Sequence, residues 1–408
     1  MWLYNIAIDA MRGGIKVASA WSKKQRLWVK GRKGIFGALS RAIKPDDKVA
    51  WFHCASLGEF EQGRPVIEEL RRIRPDYKIL LTFFSPSGYE IRKDYRGADW
   101  VFYLPADTPS NARRFVQTVH PEIAVFVKYE FWLNTIDAAR RSGCRLYLIS
   151  AIFRPNQVFF KPYGGAFRRA LAAFDTLFVQ DGNSVALLER IGVHNVIVAG
   201  DTRFDRVSAL AAAAKPIDIV ERFAAGRKVF LAGSTWGHDE DILLPVINRH
   251  PDLKFIVAPH EMDEMRIARL MSETRGGAVR YTRIEADTDL ASAQLLIIDT
   301  IGILSSAYRY ASLGYIGGGF GVGIHNTLEA ATFGLPIAFG PNYKRFREAC
   351  DMISIGSARS VGSAEELEEW TASMLGDEEL YARLSESAKK YVEEHKGATD
   401  IILRTILK

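Results

Sequence analysis

The chain has 408 residues, of which 48% are hydrophobic and 25% charged, with a formal net charge of +6. This length is sufficient for two domains, each with a core of its own. The charge is unevenly placed, because residues 1–36 hold eight Lys/Arg against one acid, Asp9. No basic stripe with interleaved aromatic residues runs through the rest of the chain, so we do not expect nucleic-acid binding.

The first segment, residues 1–36, is both apolar and basic. Its first twenty residues are interrupted by Asp9, Arg12 and Lys16, which argues against a membrane span and against a cleaved signal peptide. A basic stretch containing Trp21 and Trp28 follows. The pattern predicts either a helix lying on an anionic membrane surface or an amphipathic helix docked on its own domain.

Between residues 49 and 201, short apolar strands alternate with helix-length segments. This alternation predicts right-handed βαβ units and a parallel sheet. The predicted strands are 49–53, 79–84, 100–104, 123–127, 146–150, 177–180 and 196–199. An alanine-rich helical stretch then leads to Pro216, and we interpret this region as a linker between domains.

The alternation begins again at Lys228, with strands predicted at 229–232, 255–258, 279–282, 295–298, 313–316 and 337–339, and helices over 364–408. We therefore predict a leader (1–36), a first doubly wound α/β domain (37–206), a linker (207–227), a second such domain (228–375) and C-terminal helices (376–408). The two domains are expected to face one another across a cleft, where ligands bind beyond the carboxyl ends of the strands.

A glycine-rich loop separates a strand from a helix within residues 313–341. Its glycines at 317, 318, 319, 321 and 323 let the backbone approach a ligand closely. The following helix, predicted to begin near Asn326, directs N–H groups at an anion such as a phosphate. Glu329 could accept hydrogen bonds from a ribose diol, or it could be an ordinary first-turn carboxylate. The loop matches neither the dinucleotide nor the Walker fingerprint.

Charged residues follow three strands of the first half. Glu59 stands at the start of a helix, where it could be a general base or only a partner of the helix dipole. Glu130 follows the fourth strand, within Tyr-Glu-Phe-Trp. Arg203 follows the seventh strand and could close on a phosphate or carboxylate, or form an interdomain salt bridge.

Three strands of the second half end in groups suited to a nucleotide. The turn 233–235 offers N–H and hydroxyl groups to phosphate oxygens. The segment 258–261 ends the next predicted strand at the same edge. The backbone of 301–303 could read the edge of a base, with apolar side chains along the base's face.

The ordered motifs ASLGEFEQGRP, LLTFFSPSGYE, YEFW, GDTRFD, AGSTW, APHE, IDTIG and GGGF-x-x-GIHNTLEAATFGLPI-x-FGP resemble those of the 3-deoxy-D-manno-oct-2-ulosonic acid (Kdo) transferases. These GT-B glycosyltransferases move Kdo from CMP-Kdo to the lipid A precursor. The resemblance covers about residues 49–375. It implies the GT-B fold, a membrane-associated leader and a place in lipopolysaccharide synthesis at the cytoplasmic face of the Gram-negative inner membrane.

By this resemblance the catalytic base falls on Glu59, and support of the transition state falls on Glu130 and Arg203. Acceptor-binding positions are Ser56, Gly58 and Arg64. Donor-binding positions are Gly233, Ser234, Thr235, Pro259, His260, Ile301, Gly302, Ile303, Gly318, Gly319, His325, Asn326, Thr327, Leu328 and Glu329.

Three positions depart from the family pattern. Pro259-His260 stands where the family often has Pro-Arg-His, so a phosphate-binding arginine is missing or supplied elsewhere. The glycine loop is one residue shorter, and Arg203 replaces a lysine, which keeps the charge but changes the donor geometry.

The implied reaction is transfer of Kdo from CMP-Kdo to a primary hydroxyl of the lipid A precursor, with inversion. No cofactor or protein-held metal is expected, since the histidines and the three cysteines lack ligand spacing. Two alternatives stay open. One is another GT-B nucleotide-sugar enzyme, such as a UDP-sugar epimerase or the lipid A disaccharide synthase. The other is a non-catalytic, membrane-bound nucleotide-sugar sensor.

Overall fold

The computed structural model describes residues 1–321 and 323–408. The chain divides into two compact units, Met1–Arg206 with Lys396–Lys408, and Val207–His395. Within the described residues each unit contains one seven-stranded sheet, and all strand pairs are parallel. The predicted pair of doubly wound α/β domains is therefore confirmed, whereas the predicted cleft stays a prediction.

The strands of the first unit are β1 (Val49–Cys54), β2 (Lys78–Phe83), β3 (Trp100–Tyr103), β4 (Ile123–Val127), β5 (Arg145–Ala151), β6 (Thr176–Val179) and β7 (Val196–Val198). Its helices up to residue 206 are α1 (Trp2–Ala18), α2 (Lys23–Gly31), α3 (Ile35–Ala42), α4 (Leu57–Ile73), α5 (Pro86–Arg92), α6 (Pro109–Val119), α7 (Leu133–Arg141), α8 (Gly165–Leu171) and α9 (Gly182–Glu189). A short 3₁₀ helix spans Val158–Phe160.

The second unit contains α10 (Thr202–Ala212), which starts in the first, then α11 (Asp218–Ala224), β8 (Val229–Thr235), α12 (Gly237–Arg249), β9 (Lys254–Pro259), α13 (Glu264–Glu273), β10 (Ala278–Arg280), β11 (Leu295–Ile297), α14 (Leu304–Ala307), β12 (Leu313–Ile316), α15 (Leu328–Thr332), β13 (Ile337–Phe339), α16 (Arg347–Ser354), β14 (Ala358–Ser360), α17 (Ala364–Gly376) and α18 (Glu378–Glu394). The last helix, α19 (Ala398–Ile406), belongs to the first unit.

Hydrophobic cores lie on both faces of each sheet. In β1 all six residues are buried, and successive side chains join different cores, with Trp51 in one and Phe52 in the other. A strand buried on both faces reads as a continuous apolar run, which is why the strands were recognisable in the sequence. The strand missed by the sequence analysis, β14, has three residues at the edge of its sheet, too few for a periodic signal.

Both sheets reverse their direction of winding. The strand order is β3-β2-β1-β4-β5-β6-β7 in the first and β10-β11-β9-β8-β12-β13-β14 in the second. The reversal lies between β1 and β4 in one sheet and between β8 and β12 in the other. Loops diverge at such a switch point and leave a crevice at the carboxyl ends of the strands. Glu59 and Glu130 follow the first pair of strands, and the 233–235 turn and the glycine loop follow the second.

The C-terminal helix α19 returns to the first unit. Ile402, Leu403 and Ile406 are buried in a core of that unit, and α19 packs against α4. Asp205 fixes the entry to the helix, because its carboxylate accepts hydrogen bonds from the backbone N–H of Gly397 at 2.6 Å and of Thr399 at 2.7 Å. The amphipathic sequence of α19 did not indicate which sheet it covers.

The leader helix α1 is docked on the first unit and still exposes apolar side chains. The Tyr4 hydroxyl donates a hydrogen bond to Asp107 at 2.6 Å, and Ile8 is buried. Trp2 and Leu3 are each 72% exposed. In the part of the chain that the structure describes, no helix combines the length and apolarity needed to cross a membrane. Membrane association of the leader stays a prediction.

Candidate active site

Glu59 lies in the first turn of α4, directly after β1. Ser56, the N-cap residue of α4, has an extended backbone, and its hydroxyl donates a hydrogen bond to Oε2 of the Glu59 carboxylate. That contact fixes the carboxylate, while Oε1 makes no hydrogen bond among the described residues. Glu59 and its predicted neighbours Ser56 and Gly58 thus lie together at the carboxyl end of β1.

Glu130 is held by two side-chain nitrogens that the sequence analysis did not single out as site residues. Trp132 donates its indole N–H to Glu130 Oε2 at 2.7 Å, and His53 Nε2 lies 3.2 Å from the same oxygen. His53 is fully buried. The signal available in the sequence was a histidine inside an apolar strand. In the structure this histidine pairs with a residue of β4.

His53 also contacts Thr82 and Trp132. The Thr82 hydroxyl oxygen accepts the indole N–H of Trp51 at 2.7 Å and lies 2.9 Å from His53 Nδ1. The indole nitrogen of Trp132 lies 3.0 Å from His53 Nε2 as well as 2.7 Å from Glu130 Oε2. The side chains of Thr82, His53, Trp132 and Glu130 therefore form one connected polar group.

The two glutamates act on the same buried group. Burial raises the pKa of the Cys54 thiol, and the negative charges of Glu59, Glu130 and Glu61 raise it further. Glu59 follows β1 and Glu130 follows the neighbouring strand β4, so both carboxylates lie at the same edge of the sheet. Two carboxylates at one crevice are the arrangement by which glycosyl-transferring sites divide proton transfer from charge stabilisation.

The two arginines predicted for this region have acidic partners. Arg203 contacts Asp201, with Nη2 2.7 Å from Oδ2 and its backbone N–H donating to Oδ1 at 2.9 Å. Burial alone would raise the pKa of Asp201, but the charge and hydrogen bonds of Arg203 outweigh it and lower that pKa. Arg64 Nε donates to Glu68 at 2.6 Å, one turn along α4.

In the second unit, separate motifs meet in a stack of three rings. The ring of His260, after β9, stacks against both Trp236 and His325, with centroids 4.8 Å and 4.3 Å away, and the centroids of Trp236 and His325 are 6.5 Å apart. Trp236 Nε1 donates to His325 Nε2 at 3.1 Å, so the hydrogen of neutral His325 is on Nδ1. Trp236 stands in the AGSTW motif but was not among the predicted site residues.

The stack makes His325 sensitive to pH. Burial, aided by the neighbouring His260, lowers the pKa of His325 to about 4, against about 6.5 in an unfolded chain. Between these values the unfolded state binds more protons, so stability falls as the pH is lowered through that window. We expect His325→Gln to lose less thermal stability than the unmodified protein between about pH 7 and about pH 4.5.

His194→Gln, at an exposed position of the first unit, is the matched control for that measurement. Melting curves followed by circular dichroism give the midpoints. Equal slopes of midpoint against pH for the unmodified protein and His325→Gln would contradict the expectation.

The glycine loop is packed tightly against β8 and residue 340. A Cβ on Gly317 would come within 2.2 Å of the Ser234 carbonyl oxygen, and one on Gly319 within 2.5 Å of the Gly340 nitrogen. The Gly318 N–H donates to Asp239 at 2.9 Å. Ser234 itself has φ 56°, a left-handed conformation that non-glycine residues adopt rarely and often at functional sites.

This packing gives a prediction with a control two residues away. Gly319→Ala should destabilise the protein by about 1–3 kcal/mol, because backbone rather than a flexible side chain must move. A Cβ on Gly321 meets only one atom, at 4.0 Å, so Gly321→Ala should melt within a degree or two of the unmodified protein. Similar losses of unfolding free energy in both variants, measured by chemical unfolding, would refute the steric explanation.

Glu329 and Asn326 are joined to the segment after β11. Glu329 Oε1 accepts from the Asn326 side-chain amide at 3.0 Å, and Oε2 accepts from the Ser305 hydroxyl at 2.5 Å. The following helix α15 has only five residues. Because a helix this short aligns few peptide dipoles, the N–H groups of the loop are better candidates than α15 for holding an anion.

The remaining positions predicted to bind CMP-Kdo differ in burial and backbone conformation. Leu328 is buried, and Thr327 is buried with a hydroxyl that makes no hydrogen bond among the described residues. Ile301 is 91% exposed, and Gly302 has φ 100°. Pro259 ends β9 and is buried. The structure thus brings 233–235, His260 and the glycine loop together, and links Asn326 and Glu329 to Ser305.

A family model described as "3-Deoxy-D-manno-octulosonic-acid transferase (kdotransferase)" matches residues 29–206. A relative with the name 3-deoxy-D-manno-octulosonic acid transferase, from Bordetella pertussis, is 27% identical over 389 residues, covering 91% of this chain and 90% of its own. Residues 29–206 thus match the Kdo transferase family model, and most of the chain is similar to a protein named as a Kdo transferase. A Kdo transferase is a glycosyltransferase, and the predicted enzyme class is therefore confirmed.

Solved structures show the same two-domain fold at low identity to this chain. MurG from Acinetobacter baumannii has a TM-score of 0.57 and 12% identity, covering 88% of this chain and 99% of its own. MnaA from S. aureus, solved with UDP, has a TM-score of 0.59 and 14% identity, covering 87% and 95%. Identities this low support the predicted GT-B fold alone.

Proposed function

We propose that this Kdo transferase moves Kdo from CMP-Kdo to a primary hydroxyl of the lipid A precursor, an acylated glucosamine disaccharide, with inversion at the anomeric carbon. The observation that carries the proposal is the pair of carboxylates, Glu59 and Glu130, at the switch point of the first unit in a chain of this family. The reaction belongs to lipopolysaccharide synthesis.

Glu59 is the proposed base. Its Oε1 takes the proton of the acceptor hydroxyl as that oxygen attacks the anomeric carbon, while Ser56 holds Oε2. The bond between the anomeric carbon and the phosphate oxygen breaks, and CMP leaves with the electron pair. Positive charge develops on the sugar in the transition state, and the Glu130 carboxylate stabilises it.

The donor is assigned to the second unit. Loop N–H groups and the 233–235 turn would hold the phosphate, and Glu329 and Asn326 would exchange their mutual hydrogen bond for ribose hydroxyls. A cation also lies at this loop, because a Cβ on Gly323 would come within 2.4 Å of the Arg345 guanidinium. Arg345 is our candidate for the arginine that the Pro259-His260 motif lacks. The scheme needs no protein-bound metal or cofactor.

The leader is assigned to the anionic cytoplasmic face of the inner membrane. Trp2, Leu3, Val17 and Trp21 expose 62–74% of their surface, and basic residues of α1 and α2 lie among them. Replacing Trp2 and Leu3 together by Ser should lower binding to anionic vesicles at least about tenfold, since both side chains would otherwise leave water.

Vesicle co-sedimentation measures this binding. Ile401→Ser removes an apolar side chain that is 39% exposed on α19 and serves as the control. Equal binding of the double variant and the unmodified protein would exclude α1 as the contact.

The function is tested by mass spectrometry of a lipid A precursor incubated with purified protein and CMP-Kdo, the donor being generated in place. We expect a mass gain of one or more Kdo units. If CMP binds but no gain is seen with the expected acceptor, the acceptor assignment fails, and a sensor or another nucleotide-sugar reaction takes its place.

A further inference from the structure

A cavity of about 330 Å³ lies beside Glu130 in the first unit. We call it the aromatic pocket. It is lined mainly by rings and one aliphatic side chain, which are Tyr4, Phe131, Trp132, Phe159, Phe167 and Val158. Its volume falls within the usual range of ligand cavities, which are mostly apolar with a few placed polar groups.

The walls of the pocket are fixed by packing. Phe131 and Phe159 are buried and meet edge to face, with centroids 4.8 Å apart. Tyr4 meets Phe167 edge to face at 6.3 Å. The Tyr4 hydroxyl donates a hydrogen bond to Asp107 at 2.6 Å, and the ring of Tyr4 forms a wall of the pocket. The cavity is therefore preformed rather than a gap between mobile side chains.

Polar groups of the lining are few and confined to Tyr4, Tyr129, Glu130, Trp132 and Gln157. Oε2 of Glu130 already accepts from Trp132 and contacts His53 Nε2, and the Gln157 side-chain oxygen accepts from the backbone of Arg154 at 2.9 Å. A sugar buried here would leave many hydroxyls without partners, at a cost for each. An aliphatic chain has no hydroxyl groups and needs no hydrogen-bond partners.

One helix joins this pocket to the apolar surface of the leader. Tyr4 lines the pocket, and Leu3 and Trp2, one and two residues earlier on α1, are exposed. If the exposed residues lie in a membrane surface, as proposed above, a lipid chain can pass from the bilayer to the pocket with little apolar surface in water. Glu130 belongs to the same lining.

We propose that the aromatic pocket binds one acyl chain of the lipid acceptor and thereby holds the acceptor's sugar beside the two carboxylates. The inference rests on the proposed function for the identity of the acceptor. It makes α1 part of the acceptor site, in addition to a membrane contact, and makes the pocket a determinant of acceptor acylation.

The first test compares two acceptors, the acylated lipid A precursor and the same disaccharide after complete deacylation. Val158→Trp fills the pocket from its 3₁₀ helix. We expect it to reduce the ratio of kcat/KM for the acylated over the deacylated acceptor by at least about tenfold, equivalent to roughly two methylene groups left unburied. Tyr163→Trp, at a 78% exposed position five residues along, should leave the ratio unchanged.

Phe167→Ile provides a second variant that removes one wall, and thermal unfolding of each variant identifies a folding failure. We expect this variant to lower the same ratio about threefold, because it leaves apolar contacts unmade. An unchanged ratio in folded Val158→Trp and folded Phe167→Ile would overturn the proposal even if transfer of Kdo is observed.

A second measurement does not depend on catalysis. The fluorescence of cis-parinaric acid rises in an apolar cavity, so titration with the full chain reports binding of an aliphatic chain directly. We expect at least about tenfold weaker binding to Val158→Trp than to Tyr163→Trp. Equal binding would refute the pocket. Weaker binding together with absence of transfer to either acceptor would support the pocket and refute the proposed function.

Discussion

Glu59→Gln is expected to lower kcat by about 10²–10⁴-fold, the usual contribution of a positioned general base. The amide keeps the size of the side chain and can still contact Ser56, but it cannot take a proton from the acceptor hydroxyl. The dissociation constant for CMP should be unchanged, because Glu59 belongs to the first unit and the proposed donor residues to the second. Single-turnover rates and calorimetric titration with CMP separate the two effects.

The matched control for Glu59 lies further along the same helix. Glu69 forms an exposed pair with Arg72 at 2.6 Å, an interaction that solvent screens. Glu69→Gln should therefore keep kcat within about twofold. If Glu59→Gln retains more than a tenth of the original kcat, another group accepts the proton and the assignment of the base is wrong.

Glu130→Gln is expected to lower kcat by about 10²–10³-fold with little change in the KM of either substrate. A charge that acts on the transition state and not on the ground state changes kcat alone. The amide removes the negative charge opposite the developing positive charge of the sugar. It also presents an N–H₂ group or a neutral oxygen to Trp132 and His53, so the hydrogen bond from Trp132 weakens.

Variants of Trp132 and His53 separate the charge of Glu130 from its position. Trp132→Phe and His53→Gln keep the carboxylate but each removes one of its two nitrogen contacts, so we expect smaller losses of kcat, about tenfold each. KM should stay near its original value, whereas a general loss of folded protein would lower the active fraction and the melting midpoint together. A rise in KM with unchanged kcat in Glu130→Gln would assign Glu130 to substrate binding instead.

The strands and the fold class were predictable because the residues of each buried strand are consecutive in the sequence. β1 and β4 are continuous apolar runs, and a strand buried on both faces needs no information beyond its own residues. The strand-end motifs marked the right edge of each sheet for the same reason, since parallel strands bring their carboxyl ends to one side. The three-residue edge strand β14 carries too short a pattern to be read.

Contacts between distant segments had no such local signal. His53, Thr82 and Trp132 lie on or after three different strands, and their hydrogen-bond chain to Glu130 depends on the lateral order of β2, β1 and β4. The stack of Trp236, His260 and His325 likewise requires β8, β9 and β12 to be neighbours. Strand order is a property of the folded sheet, and no residue type encodes it alone.

The sequence by itself determined two parallel α/β domains, the polar strand ends, and motifs whose order indicated the Kdo transferase family. Only the tertiary structure decided that Glu130 contacts His53 and Trp132, that α19 covers a core of the first unit, and that Tyr4 of the leader completes an aromatic pocket. Periodicity reports the buried face of each segment from its own residues. Which segment covers that face depends on packing among residues far apart in the chain, and that packing is settled only when the whole core assembles.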